Sequence, residues 1–382
     1  MIRTTGTYRV QTGGGEAVRV FVPAALPPAD PPLAIDTRLT ELHNRAIEAL
    51  GRLDFAGTIV PSSEWFLYGF VRKEAVLTSE IEGTQATLQD MVTFEATGHA
   101  DRPDDVEEVC NYVDALTFAL DELRNPQGLP LSVRLLCESH RRLMRGVRGH
   151  DKSPGEIRRS QNWIGGTRPG NAKFVPPPPE MVLELLGDLE RWMHSEDSLP
   201  PLIKAGLAHV QFESIHPFLD GNGRIGRLMI ALLLEHWGVL QRPLLYLSVA
   251  LKRRQQQYYD ALSAVRTKGD WEGWTAFFLE CVTEAAIDGL RVAEGIGKLL
   301  TEDRARLMEE PSATMQSVRL LDMLPSHPVI TTSRAMDLLS VSKPTALKSI
   351  ALLESLGVLH EATGRQRDRV HVYRRYLELL QG

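Results

Sequence analysis

The chain has 382 residues, 43% of them apolar and 24% charged, which describes an ordinary folded protein with room for two or three domains. Its formal net charge of −6 excludes whole-surface attraction to nucleic acid or anionic lipid and leaves only local basic patches for that purpose. No apolar run reaches the ~18 residues of a spanning helix and the N-terminus lacks a signal-peptide core, so no membrane role and a cytoplasmic location are expected.

The cysteines, Cys110, Cys137 and Cys281, are scattered and read as reduced apolar residues. Near the N-terminus, the alternation of Val18, Val20 and Val22 predicts a half-exposed strand over 17–22, after which prolines favour an extended arm. Gly13, Gly14 and Gly15 precede neither a helix nor a phosphate-loop lysine and read as a turn. Apolar residues then recur at helical spacing, and helices are predicted near 36–53, 64–82, 105–124, 132–145, 179–194, 200–214, 223–237, 249–266 and 271–309. This argues for a helical bundle.

The segment 162–175 interrupts that pattern. Two short apolar runs flank a Gly/Pro/Asn tip, which reads as a β-hairpin, and the prolines at 176–179 make a rigid stop after it. Arg158, Arg159, Gln161 and Asn162 just before it read as exposed loop groups. A change of composition over 311–328 reads as a linker or domain boundary. Beyond it, Thr332 or Ser333 is expected to cap a helix over 334–339, and Ser342 a second one with Pro344 in its first turn. Short strands are expected over 358–364 and 369–373. Helix, turn, helix and hairpin in this order resemble a winged helix-turn-helix.

The chemistry concentrates in residues 216–227, His-Pro-Phe-Leu-Asp-Gly-Asn-Gly-Arg-Ile-Gly-Arg. A glycine-rich turn opening a helix presents unpaired N–H groups and the positive end of the helix dipole, which suits phosphate. Gly221, Asn222 and Gly223 would form the anion cradle, and Arg224 and Arg227 would add planar charged donors for phosphate oxygens. Asp220 is a hard oxygen ligand of the kind Mg²⁺ uses beside phosphates. His216 has a side chain able to take a proton at neutral pH. His209 and the pair Tyr258 and Tyr259 read as packing residues.

These twelve residues resemble the signature of Fic-domain proteins and fill every fixed position of it. The resemblance implies a mainly α fold, a Fic helical bundle with a short β-hairpin flap, followed here by the winged helix-turn-helix. It implies an N-terminal arm and inhibitory-helix region over 1–104, the catalytic core and following helices over 105–310, and the linker with the winged helix over 311–382. It implies a protein adenylyltransferase in which His216 deprotonates a Ser, Thr or Tyr hydroxyl of a target protein. That hydroxyl attacks the α-phosphorus of ATP, with Mg²⁺ on Asp220 and Arg224 and Arg227 on the β- and γ-phosphates.

Residues 78–83, Thr-Ser-Glu-Ile-Glu-Gly, resemble the inhibitory-helix motif of autoinhibited Fic proteins. The implication is that Glu82 pairs with Arg227 in the place of the γ-phosphate, with Thr78 and Gly83 shaping the helix end. By the same resemblance, Ile164, Gly165, Gly166, Phe174 and Val175 form a flap that docks an extended target segment by β-augmentation. Two rivals share the chain: a de-AMPylating hydrolase using the same site, and a DNA-binding transcriptional regulator whose Fic core senses ATP. Lys343, Thr345, Lys348, Arg365, Arg367, Arg369, Arg374 and Arg375 are the groups that could meet DNA phosphate, against a protein-docking role for the same module. Self-modification and a homodimer are further expectations by analogy.

Overall fold

A computed structural model describes residues 3–13, 16–59, 63–147, 151–364 and 368–381. The chain opens on a hairpin of β1 (Gly6–Gly13) and β2 (Glu16–Pro23), paired from Gly6 opposite Pro23 to Gly13 opposite Glu16. Only β2 is legible as a strand from its alternation. Along β1, Tyr8 and Val10 face solvent, so no buried side marks it. Val18 and Val20 of β2 bury against Val175 of the later non-helical segment.

Helices follow almost without interruption. They are α1 (Thr37–Ile59), α2 (Ser63–Ile81), α3 (Leu88–Thr97), α4 (Pro103–Arg124), α5 (Val133–Leu143), α6 (Pro179–Met193), α7 (Pro201–Ile215) and α8 (Asn222–His236). Then come α9 (Ser248–Arg253), α10 (Gln255–Lys268) and the 39-residue α11 (Trp271–Glu309), which packs along α1. The periodicity locates most of these, with two departures. The helix predicted over 249–266 is broken at Arg254, whose backbone sits at φ −113°, ψ 33°. The second departure is α3, which is additional. Thr87 and Asp90 cap each other's backbone N–H groups there, and Gly98 at φ 71° closes it.

Helix α7 is buried on all sides along its length from Leu202, which makes it the axis of the bundle. α8 packs against it, so the loop joining the two emerges from the buried centre of the bundle.

The segment over 311–328 is not a plain linker. Thr314 caps α12 (Met315–Met323), and Leu320 and Leu321 bury into the core. β3 (Val329–Thr331), α13 (Thr332–Leu339), α14 (Lys343–Ser355), β4 (His360–Glu361), β5 (Val370–Val372) and α15 (Arg374–Gln381) complete the chain. The cap of α13 is Thr331, one residue before the earlier of the two expected. The strands form one antiparallel sheet in the order β3–β5–β4. One continuous apolar cluster runs from Val22 to Leu380. Among the described residues no helix is long and apolar enough to cross a membrane.

Candidate active site

The site begins where α7 stops. Pro217 disfavours helical geometry in the residue before it. His216 accordingly leaves the helix in the left-handed region (φ 50°, ψ 63°), while its N–H still caps the carbonyl of Phe212 at 2.8 Å. For a residue with a Cβ this costs roughly 1–2 kcal/mol, and the surroundings hold it. Arg158, 2% exposed, donates from its backbone N–H to Pro217 O at 2.9 Å and from Nε to His216 O at 2.9 Å. Its other nitrogens reach Ile215 O, Ser160 O and Pro177 O. Asn162 donates to Phe218 O at 2.8 Å. The reading of Arg158 and Asn162 as exposed loop groups is thereby corrected: buried carbonyls of a tight turn need donors, and these two supply them.

The His216 ring is largely buried, which pushes its pKa down to about 4, and the Arg158 charge pushes the same way against Glu213 and Glu82. The imidazole is therefore neutral, and free to accept a proton, at ordinary pH. Its Nδ1 lies 3.8 Å from Glu213 Oε2. Burial pushes the Glu213 carboxyl up to about 7, with Arg227 opposing. Its Oε1 has no hydrogen-bond partner among the described residues.

Below His216 the loop is stapled from inside. Asn222 Oδ1 accepts the Phe218 N–H and its Nδ2 donates to Phe218 O, both at 2.8 Å, so this side chain shapes the loop and its backbone is left for a ligand. His140 stacks on Phe218 at 3.9 Å and meets Asp220 O at 3.0 Å. Because Gly155 N–H donates to its Nδ1, the Nε2 of His140 carries the hydrogen toward Asp220 O. Gly221 at φ 75° passes close to Met144 and His140, where a side chain would be both strained and crowded. Asp220 accepts the Gly221 N–H at 2.6 Å and is 43% exposed.

The two arginines differ. Arg224 is buried in an ion pair with Glu108 of α4, and its Nε–H has no acceptor among the described residues. Arg227 is clasped by the end of α2, where Nε donates to Thr78 Oγ1 at 2.6 Å and Nη2 to Thr78 O at 3.1 Å and to Glu82 Oε1 at 2.6 Å. Gly83, at φ 97°, ends α2 immediately after Glu82. A carboxylate is disfavoured at a helix C-terminus. Here it lies instead against Gly223 in the first turn of α8, at that helix's positive end. Burial raises the Glu82 pKa, but Arg227 outweighs burial and holds the carboxyl below its usual range.

Residues 40–121 match the model described as Fic/DOC family N-terminal, and residues 130–234 match that of the Fic/DOC family. The chain belongs to the Fic/DOC family. It is 33% identical to the protein adenylyltransferase Fic of Drosophila erecta over 166 residues, 42% of this chain and 30% of that protein. It thus spans about a third of the length of that relative. Two solved structures share the fold. A Fic family protein from Desulfovibrio desulfuricans G20 has 22% identity and a TM-score of 0.56, covering 90% of this chain and 98% of its own. Fic-1 of C. elegans has 24% identity and a TM-score of 0.51, covering 69% and 72%.

Around this Fic core the predicted flap is a minimal hairpin. Ile164 and Phe174 form one antiparallel bridge, with 2.8 Å from Ile164 N to Phe174 O, and Pro169–Asn171 makes a short helical turn at the tip. Ile164, Gly165 and Gly166 face solvent. Phe174 and Val175 do not. Val175 O accepts the Phe21 N–H of β2 at 2.9 Å, and Phe174 lies under the Arg266 guanidinium at 4.0 Å. The N-terminal hairpin has taken that edge, a contact with no local signal in the sequence.

Tyr258 and His209 are packing residues as expected, joined at 2.8 Å within an aromatic cluster with Trp274. Among the described residues no three His, Cys, Asp or Glu groups could jointly hold a metal. Asp220 alone fits a Mg²⁺ ion that takes its remaining ligands from phosphate and water. In the C-terminal module Lys343 and Lys348 are exposed on α14, while Arg374 pairs with Glu378 and Arg375 with Glu302 and Asp303. Arg365 and Arg367 lie outside the described residues.

Proposed function

We propose that this protein is an autoinhibited adenylyltransferase that moves AMP from ATP to a hydroxyl of a protein target. One observation carries the reading: the Glu82 carboxylate lies against the first turn of α8 and pairs with Arg227. A protein's own carboxylate resting on a helix N-terminus and an arginine fork marks a site built for phosphate.

With Glu82 withdrawn, Arg227 would turn its fork to the phosphates, and the unsatisfied Nε–H of Arg224 would find an acceptor there. Mg²⁺ on Asp220 would screen the phosphate charges. His216, neutral and fixed by the turn, would take the proton of the target hydroxyl as its oxygen bonds to the α-phosphorus, and pyrophosphate would leave. Base catalysis of this kind is worth about 10²–10⁴-fold. The target segment would lie along the free side of the flap at Ile164, Gly165 and Gly166. Arg374 and Arg375 of the winged-helix module are engaged by carboxylates, which favours a protein-directed over a DNA-directed role.

Wild type, Glu82→Gly and Glu82→Gly/His216→Ala are incubated with Mg²⁺ and ATP labelled at the α- or the γ-phosphate. The expected result is α-label on protein, strongest in Glu82→Gly and lost with His216. Label from the γ-phosphate alone would replace the reading with phosphorylation.

A further inference from the structure

Helices α2 and α3 form a hairpin whose tip, residues 81–87, carries Glu82. Ile81 and Ala86 bury in the core there, and polar contacts hold the end of α2: Lys252 pairs with Glu80, Gln255 donates to Ile81 O at 3.1 Å, and Arg227 holds Thr78 and Glu82. Away from the tip, α2 packs on α4 and α9 and α3 on α4, and both helices also share contacts with one further body, the C-terminal module. The turn Leu324–Ser326 and α15 pack on α2, while β3 and α15 pack on α3.

That seam is tight. Gly69 of α2 has no side chain because Leu380 and the Tyr376 hydroxyl stand where one would begin, 2.9 to 3.0 Å from the position of a Cβ. Beside it Arg72 stacks on Tyr68 at 3.4 Å and is forked by Glu95 of α3, which also accepts the Tyr68 hydroxyl at 2.7 Å. This cluster ties α2 to α3, so the two helices move together. The module is in turn fixed to α11, where the fully buried Asp303 accepts the Tyr373 hydroxyl at 2.6 Å and pairs with Arg375 and Arg306.

We infer that the C-terminal module sets the position of the α2–α3 hairpin and thereby the engagement of Glu82 with Arg227. This rests on the autoinhibited reading above and names what regulates it. From Gly69 to Glu82 is about 20 Å along a helix rising 1.5 Å per residue. A helix fixed at its seam carries a displacement to its end, because packed interfaces shift between discrete arrangements rather than deform smoothly. A partner that alters the packing of α15 or β3 would therefore act on the active site without touching it.

The test uses the full chain with Gly69→Ala, which wedges the seam, and Leu380→Ala, which empties it. α-Label transfer is measured in each, alone and combined with Glu82→Gly, together with hydrogen exchange at the Glu82, Gly83 and Thr84 amides. Both variants should raise transfer about fivefold or more, the lower range of a typical coupling. They should speed exchange at those amides and add nothing in the Glu82→Gly background. Unchanged transfer and exchange in both variants, with Glu82→Gly active, would overturn the inference alone. A rise equally large when Glu82 is already gone would also overturn it, since the seam would then act elsewhere. If Glu82→Gly itself gave no rise, the autoinhibited reading would fall, and the exchange data would still decide whether seam and tip are coupled.

Discussion

The Glu82 carboxylate stands where a methyl group on Gly223 would have to go, and the same methyl would come within 3.0 Å of an Arg227 nitrogen. The glycine is thus needed for the approach of Glu82 and, on the proposed reading, for that of a phosphate as well. Gly223→Ala should destabilise the protein by about 1–3 kcal/mol through overpacking. In a Glu82→Gly background the penalty should shrink by about 1 kcal/mol or more, which a double-mutant cycle from urea unfolding would read. Equal penalties in the two backgrounds would place Glu82 away from the first turn of α8.

His216 should remain a base well below the usual range of histidine. With its pKa pushed down to about 4, transfer by Glu82→Gly at saturating ATP should stay flat between pH 7.5 and about 5 rather than fall near 6.5. Loss of the Glu82 charge, which raises His216, only strengthens the expectation. A limb near pH 7 would belong to Glu213, and Glu213→Gln should remove it. The stability sign follows from the same shift. Between pH 6.5 and 4 the unfolded chain binds a proton on this residue that the folded chain refuses, so folding weakens as pH falls through that window. Glu82, held low by Arg227, adds stability above its unfolded pKa that is lost as pH falls through its folded one.

The helical bundle was legible because burial on one face leaves a period in the sequence, as in α1 and α4. The site was legible where its members are adjacent in the chain, from His216 to Arg227, and at Glu82 because a motif marks the helix end. Apart from α3, whose caps Thr87, Asp90 and Gly98 are local, much of what escaped has its reason in another part of the chain. A buried Arg158 reads as a loop charge until the carbonyls of Ile215 and His216 are placed beside it. Glu108 and His140 are ordinary helix residues until Arg224 and Phe218 arrive. β1 becomes a strand only through its pairing with β2.

Arg158→Met removes the donors of several buried carbonyls at once. Each unsatisfied group costs about 1–3 kcal/mol, so a loss of more than about 2 kcal/mol of stability is expected. In the Glu82→Gly background transfer should fall at least about tenfold at saturating ATP, since a shift of His216 by about 1 Å costs more than that in a positioned reaction. The KM for ATP should change little, because Arg158 touches the turn rather than the cradle. Arg158→Lys keeps a charge without the planar fork and should lie between. A change confined to the KM would mean that Arg158 meets the nucleotide.

Arg224 and Glu108 separate structure from chemistry. Glu108→Ala leaves the buried Arg224 guanidinium with only Asp220, 3.8 Å away, and should cost about 3–5 kcal/mol, whereas Glu108→Leu with Arg224→Met removes both charges and should cost less. That paired variant isolates what Arg224 does for the nucleotide. Its Nε–H is buried and without an acceptor among the described residues, so a phosphate oxygen would satisfy that donor. In the Glu82→Gly background, the paired variant should keep its melting temperature within a few degrees and raise the KM for ATP about tenfold or more, in line with the loss of a charge-assisted hydrogen bond. An unchanged KM in a stable paired variant would make Arg224 a strut of the α4–α8 contact and leave Arg227 to hold the phosphates.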